Sequence, residues 1–164
     1  MNAAMPSASP FPDSPGVRIM PPLVFLLNLL AGVILHWAAP WPVPGLPQTV
    51  GLAAGLLLAG AGIAFMMWGH TLFTRLGVNV KTIRPASMLV ATGAYAWSRN
   101  PMYVGFLAIL AGLGLAAGSA WMVLTVLPMA FYLGLYVIPR EEAYLARRFG
   151  VEYETYRRAV RRWL

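Results

Sequence analysis

From Pro21 onward, long uncharged apolar runs alternate with short polar or proline-rich breaks. The run 21–39 is long enough for a helix to cross a hydrocarbon core of about 30 Å. A stiff, uncharged break, Pro40-Trp-Pro-Val-Pro-Gly-Leu-Pro47, separates it from a second run over 48–73. Met102 to Ile138 carries no charge at all, which is too long for one crossing and enough for two short ones. Gly118-Ser119 is the expected reversal, giving spans at 102–117 and 119–138. Pro128 is expected to kink the second of these. The pattern predicts an all-α polytopic membrane protein of about four transmembrane helices, followed by amphipathic C-terminal helices.

Residues 1–16, rich in Pro, Ser and Ala, are expected to be a disordered segment, and 17–164 a single membrane domain. In the second span, Gly51, Gly55, Gly60 and Gly62 make a small-residue face, suited to close helix packing within the chain or in a homo-oligomer. His36, beside Trp37 and Trp41, and His70 read as interfacial or capping residues. Beyond Tyr144, Tyr153, Tyr156, Val160 and Trp163 recur at helical spacing with Arg157, Arg158, Arg161 and Arg162 to the sides. That pattern is expected of a helix lying in the membrane interface and holding its lipids.

Composition agrees and narrows the chemistry. The chain is 59% hydrophobic and 10% charged, far from the balance of soluble domains. It has no cysteine, so disulfides, thiolate nucleophiles and cysteine metal sites are excluded, and no metal site is expected. The net charge of +7 does not point to nucleic acid, because the basic residues fall at Arg18, in the 75–99 loop and in the tail. The breaks at 40–47 and 118–119 carry none. By the positive-inside rule, both termini and the central loop are cytoplasmic, in a bacterial-type inner membrane.

The stretch Gly93-Ala-Tyr-Ala-Trp-Ser-Arg-Asn-Pro-Met-Tyr-Val-Gly105 is where chemistry is expected. It is a polar loop feeding a membrane helix at its water-facing end, with Pro101 suited to the first helical turn. One end of the predicted hairpin lies here and the other at Glu141-Glu142, so Arg99, Asn100, Tyr95, Tyr103 and two carboxylates converge at one membrane face. Arginine offers a bidentate donor to a carboxylate or phosphate, and glutamate accepts from an ammonium or ribose hydroxyls. The set suits a zwitterionic ligand. An Arg–Glu belt that only fixes the depth of the hairpin explains the same residue types equally well.

Leu89-Val90-x-x-Gly93-x-Tyr95-x-x-x-Arg99-Asn100-Pro101-x-Tyr103-x-Gly105 resembles the core motif of the isoprenylcysteine carboxyl methyltransferase family and the related phospholipid methyltransferases. Glu141-Glu142-x-x-Leu145-x-x-x-Phe149-Gly150-x-x-Tyr153-x-x-Tyr156 follows at the family's separation. The resemblance covers roughly residues 75–164 and implies methyl transfer from S-adenosyl-L-methionine, with the cofactor site in 75–105 and 139–156. It implies cofactor contacts from Ser87, Met88, Leu89, Val90, Tyr95, Asn100, Pro101, Met102, Tyr103, Glu141 and Glu142. Arg99, Asn100, Tyr103 and Glu141 are its candidates for the catalytic centre. The methyl acceptor would be a lipophilic or small molecule. Eukaryotic members carry His where Asn100 stands, and asparagine hydrogen-bonds without titrating. Their substrate-side arginine falls here on Val137, which leaves the nearby Arg140 as the substrate-binding candidate. Two other expectations stand beside this one: a reductase resembling steroid 5α-reductase with NADPH, and a non-enzymatic membrane scaffold.

Overall fold

The structure, a computed structural model, describes residues 14–77 and 87–164. Most of the expected N-terminal disordered segment, and Lys81 and Arg84 of the basic loop, lie outside the described residues. Among the described residues there is helix and no strand. Helix α1 spans Pro21–Ala38 and α2 spans Gln48–Arg75. A single 3-10 turn, Gly93–Ala96, precedes α3, Pro101–Ala116. The long helix α4 runs over Ala120–Phe149 and the short α5 over Val151–Ala159.

Three helices, α1, α2 and α4, are long and apolar enough to cross a membrane. The expected fourth span, 102–117, is present as α3, but its 16 residues fall short of that length. At 1.5 Å per residue it reaches only about 24 Å. Its ends explain why. Asn100, in a non-helical conformation before Pro101, delays the start, and Gly118 at φ +62° turns the chain back.

The glycines of α2 are used within the chain. Gly51, Gly55, Ala59, Gly62 and Gly69 are buried along the face that meets α3. A Cβ on Gly55 would lie 2.4 Å from the Gly112 carbonyl oxygen, and one on Gly112 would lie 2.5 Å from the Ala59 nitrogen. These backbones touch, and neighbours of that kind cannot yield as a flexible side chain would. Gly60 does not belong to this seam, since it is exposed with no atom within 4 Å of its would-be Cβ.

Helix α4 does not stop where the charge begins. It runs through Ile138 to Phe149, where a span ending at 138 was expected. Two prolines shape it. Pro128 cannot donate to the carbonyl four residues back, and the helical pattern is interrupted at Thr125. Before Pro139, the segment Tyr132–Val137 widens into a π-turn in which Ile138 N–H donates to Leu133 five residues back. The widening sets the rotation of the charged last turns that carry Glu141 and Glu142.

The two ends of the bundle differ. At one, the uncharged proline turn clips onto the α3–α4 reversal: Val43 N–H donates to Gly118 (3.0 Å) and Ala120 N–H to Trp41 (2.9 Å). At the other, the apolar core comes up to the charged residues. Leu110, Met129, Leu133, Val137, Ile138 and Val17 are buried together with Tyr103. Val17 belongs to a segment preceding α1 that lies across α4, where Tyr136 Oη accepts from Arg18 N–H and Tyr132 Oη donates to the Ile19 carbonyl.

Candidate functional site

The charged end is assembled from four pieces: the 87–100 loop, the first turn of α3, the last turns of α4, and α5 with the tail behind it. The loop is held against α2 at Gly93, whose φ is +59° and whose would-be Cβ lies 3.2 Å from Leu72. Ser98, fully buried, then ties the chain before the helix by accepting from Asn100 N–H at 3.0 Å. Pro101 begins α3 where a missing N–H costs no helical bond, and its ring sits against Gly69 of α2.

Glu141 and Glu142, adjacent on a helix, project about 100° apart and reach different partners. Tyr103, one helical turn into α3 and 7% exposed, donates its phenol to Glu141 Oε1 at 2.6 Å. Glu142 meets Arg99, whose Nη1 lies 3.2 Å from Oε1. Both side chains are largely shielded, 11% and 14% exposed. Arg99 also donates to Tyr153 Oη at 3.3 Å, while its Nε is buried with no hydrogen-bond partner.

The amphipathic α5 faces the protein rather than the lipid. Tyr153 and Tyr156 are buried against Val90 and Tyr95, with Leu89 packed beside them. Tyr156 donates to the Tyr95 carbonyl at 2.8 Å. Burial pushes the Tyr95 phenol up, with the Glu141 carboxylate adding to it; burial likewise raises Tyr156, against the Arg99 guanidinium. Both therefore stay neutral hydroxyls at any physiological pH.

Beyond α5 the chain is extended from Val160 and returns to the loop. Arg99 N–H donates to the Arg161 carbonyl (2.9 Å), and Asn100 Nδ2 donates to the Arg162 carbonyl (2.9 Å). The Arg162 guanidinium grips Glu142 with both arms, Nε to Oε1 at 3.0 Å and Nη2 to Oε2 at 2.6 Å. Trp163 packs on the apolar cluster beside Gly134.

Of the residues expected to act together, Arg99, Asn100, Tyr103, Glu141, Glu142, Tyr95, Leu89 and Val90 lie in this one region. Ser87 and Met88 are exposed where the described loop begins, and Met102 is half-buried next to Gly69. Arg140 points elsewhere: its guanidinium lies 3.9 Å above the Tyr136 ring and donates to the Tyr136 carbonyl. Tyr153, named from sequence in the second motif and the aromatic face, and Arg162, named among the tail arginines, were not expected as site residues. Nothing in the pattern separates Arg162 from the other tail arginines, because its partner stands 20 positions back.

A helical membrane chain with a buried arginine, two carboxylates and phenols gathered at one end is the kind of protein that binds a polar ligand where lipid meets water. A family model described as phospholipid methyltransferase matches residues 50–152, more than half of the chain, and the protein belongs to that family. An uncharacterized protein of Haemophilus influenzae is 40% identical over 63 residues, 38% of this chain and the whole of that protein. No solved structure matches. Family membership makes this a membrane methyltransferase.

Proposed function

We propose that the protein transfers a methyl group from S-adenosyl-L-methionine to a carboxylate, thiol or headgroup nucleophile on a lipophilic or small acceptor, at the cytoplasmic face of the membrane. One observation carries the reading: Arg99, largely shielded beside a carboxylate, keeps its Nε buried and without a hydrogen-bond partner. A shielded guanidinium edge left open in this way fits the carboxylate of an amino-acid-type cofactor. Glu141 fits its ammonium or hydroxyl groups, and the apolar Leu89–Val90 floor fits an aromatic base. The cofactor, when bound, supplies an activated methyl on a sulfonium.

The chain's part is to orient and to shield. Tyr103 fixes the rotamer of Glu141 by donating to it, so that carboxylate cannot swing toward Arg99. The core beneath, from Leu110 to Ile138, keeps bulk water from one side of the pair. Carboxylate and thiolate nucleophiles need no general base, so holding the reacting groups in a near-attack arrangement supplies most of the acceleration. In the sequence, arginine and lysine fall at Arg18, in the 75–99 loop and in the tail and not in the breaks at 40–47 and 118–119, which supports a cytoplasmic entrance for the cofactor. The acceptor then arrives laterally from the bilayer.

The test is titration of purified protein in detergent with S-adenosyl-L-methionine by calorimetry. Isolated membranes incubated with methyl-labelled cofactor are then searched for labelled lipids, thiols and acids. Saturable binding and a labelled acceptor are expected. If the melting temperature rises with NADPH and not with the methyl donor, the reading is wrong, because only a ligand that binds the folded state stabilises it.

A further inference from the structure

The tail arginine raises a question about Arg99. A lone Arg–Glu pair tends to close in a two-point fork, two parallel N–H···O bonds that occupy both carboxylate oxygens. That is not the arrangement here. Glu142 touches Arg99 by one contact, Oε1 to Nη1. Both of its oxygens are taken by Arg162, Oε1 by Nε and Oε2 by Nη2. The Nε of Arg99 is buried and without a hydrogen-bond partner although a carboxylate stands next to it.

We propose that Arg162 is a positioning residue which, by holding both oxygens of Glu142, keeps Arg99 from being neutralised and reserves its free edge for the anionic group of the ligand. The proposal rests on the methyl-donor reading above and assigns the carboxylate end of that ligand to Arg99. The geometry around Arg162 supports it in three ways. Its own carbonyl is pinned by Asn100 and the preceding one by Arg99, so the guanidinium is launched from a fixed point on the site loop. Trp163 anchors the other side of it in the apolar core. The Arg162 side chain is 42% exposed and Glu142 14%, so the two-point contact is made from the water side onto a shielded carboxylate. The same contacts orient Asn100. Its amide nitrogen donates one N–H to the tail carbonyl, which fixes the directions of the second N–H and of the side-chain oxygen.

The test compares two probes, S-adenosyl-L-methionine and its decarboxylated analogue, titrated into full-length wild type, Arg162→Ala and Arg162→Lys in detergent. In wild type the carboxylated ligand binds about tenfold or more tighter, the scale of a charge-assisted bidentate contact. Arg162→Ala loses most of that preference while its affinity for the analogue and its melting temperature hold. Lysine, which can occupy one oxygen but not both, falls between. Equal affinity of wild type for the two ligands, or an undiminished preference in Arg162→Ala, overturns the inference while leaving the methyl-donor reading intact. A loss of affinity for both ligands alike also overturns it, showing a general structural role. Absence of any methyl-donor binding in wild type removes the proposed function and this inference together.

Discussion

Replacing Tyr103 by phenylalanine isolates the contact that joins α3 to the charged end of α4. The ring keeps its place, because its packing against Phe106 (centroids 6.4 Å apart) and the apolar core does not involve the hydroxyl. What is lost is one short hydrogen bond, 2.6 Å long, from the phenol to a carboxyl oxygen. With Tyr103 only 7% exposed, water has poor access to replace the donor. A hydrogen bond to a charged group contributes about 1.5–3 kcal/mol, which for a chain of this size corresponds to a fall in melting temperature of about 3–12 °C. Thermal unfolding of both proteins in the same detergent measures it. Calorimetric titration with the methyl donor measures the consequence for the site, where a freed Glu141 is expected to weaken binding by about tenfold, equivalent to about 1.4 kcal/mol. An unchanged melting temperature would show that the contact is exchanged freely with solvent, and the account of Tyr103 as the clamp on Glu141 would then fail.

Four further outcomes follow from the same structure. Gly112→Ala puts a methyl 2.5 Å from Ala59 N and 2.6 Å from Gly55 O, both backbone atoms, so overpacking of about 1–3 kcal/mol is expected. Gly60→Ala, in open space on the same seam-forming helix α2, should be neutral or stabilising by up to about 1 kcal/mol; reversal of that order in unfolding assays would reject the α2–α3 seam. Gly93→Ala forces φ +59° on a residue with a Cβ, at about 1–2 kcal/mol, and crowds Leu72. The expected readout is faster proteolysis of the loop, with the rest of the chain as resistant as before. Glu142→Gln leaves Arg99 facing a neutral partner in a shielded place, for a loss of about 1–3 kcal/mol, readable as a lower melting temperature. A gain in stability would mean the two arginines repel less than the burial of the carboxylate costs.

The class of the molecule was legible in its residues because it depends on averages. Uncharged runs of sufficient length must be helices in lipid, where every backbone polar group needs an internal partner, and no tertiary detail alters that. The boundaries at Pro21, Pro47, Pro101 and Gly118 were equally local, since proline and glycine restrict φ or permit its positive range wherever they occur. The approach of Arg99, Tyr103 and the two glutamates was legible for a related reason: a hairpin joins its own ends. The helical spacing of the tail aromatics held for Tyr153 and Tyr156 but not for Val160 and Trp163, which lie beyond the end of α5 at Ala159.

What periodicity could not say was what the aromatic face would meet. An amphipathic stripe has the same pattern whether it rests on lipid or on protein, and here it rests on the loop around Val90 and Tyr95. The length of α3 escaped for a similar reason, since an apolar run shows its composition but not where packing against α2 starts and stops it. The continuation of α4 to Phe149 depended on the π-turn before Pro139, a rearrangement that satisfies a backbone bond and leaves no trace in hydropathy. Arg162 was hidden most completely. A charged side chain declares its charge but not its partner, and only the return of the tail across the loop decided that this arginine, among several, would take both oxygens of Glu142 and leave an edge of Arg99 open.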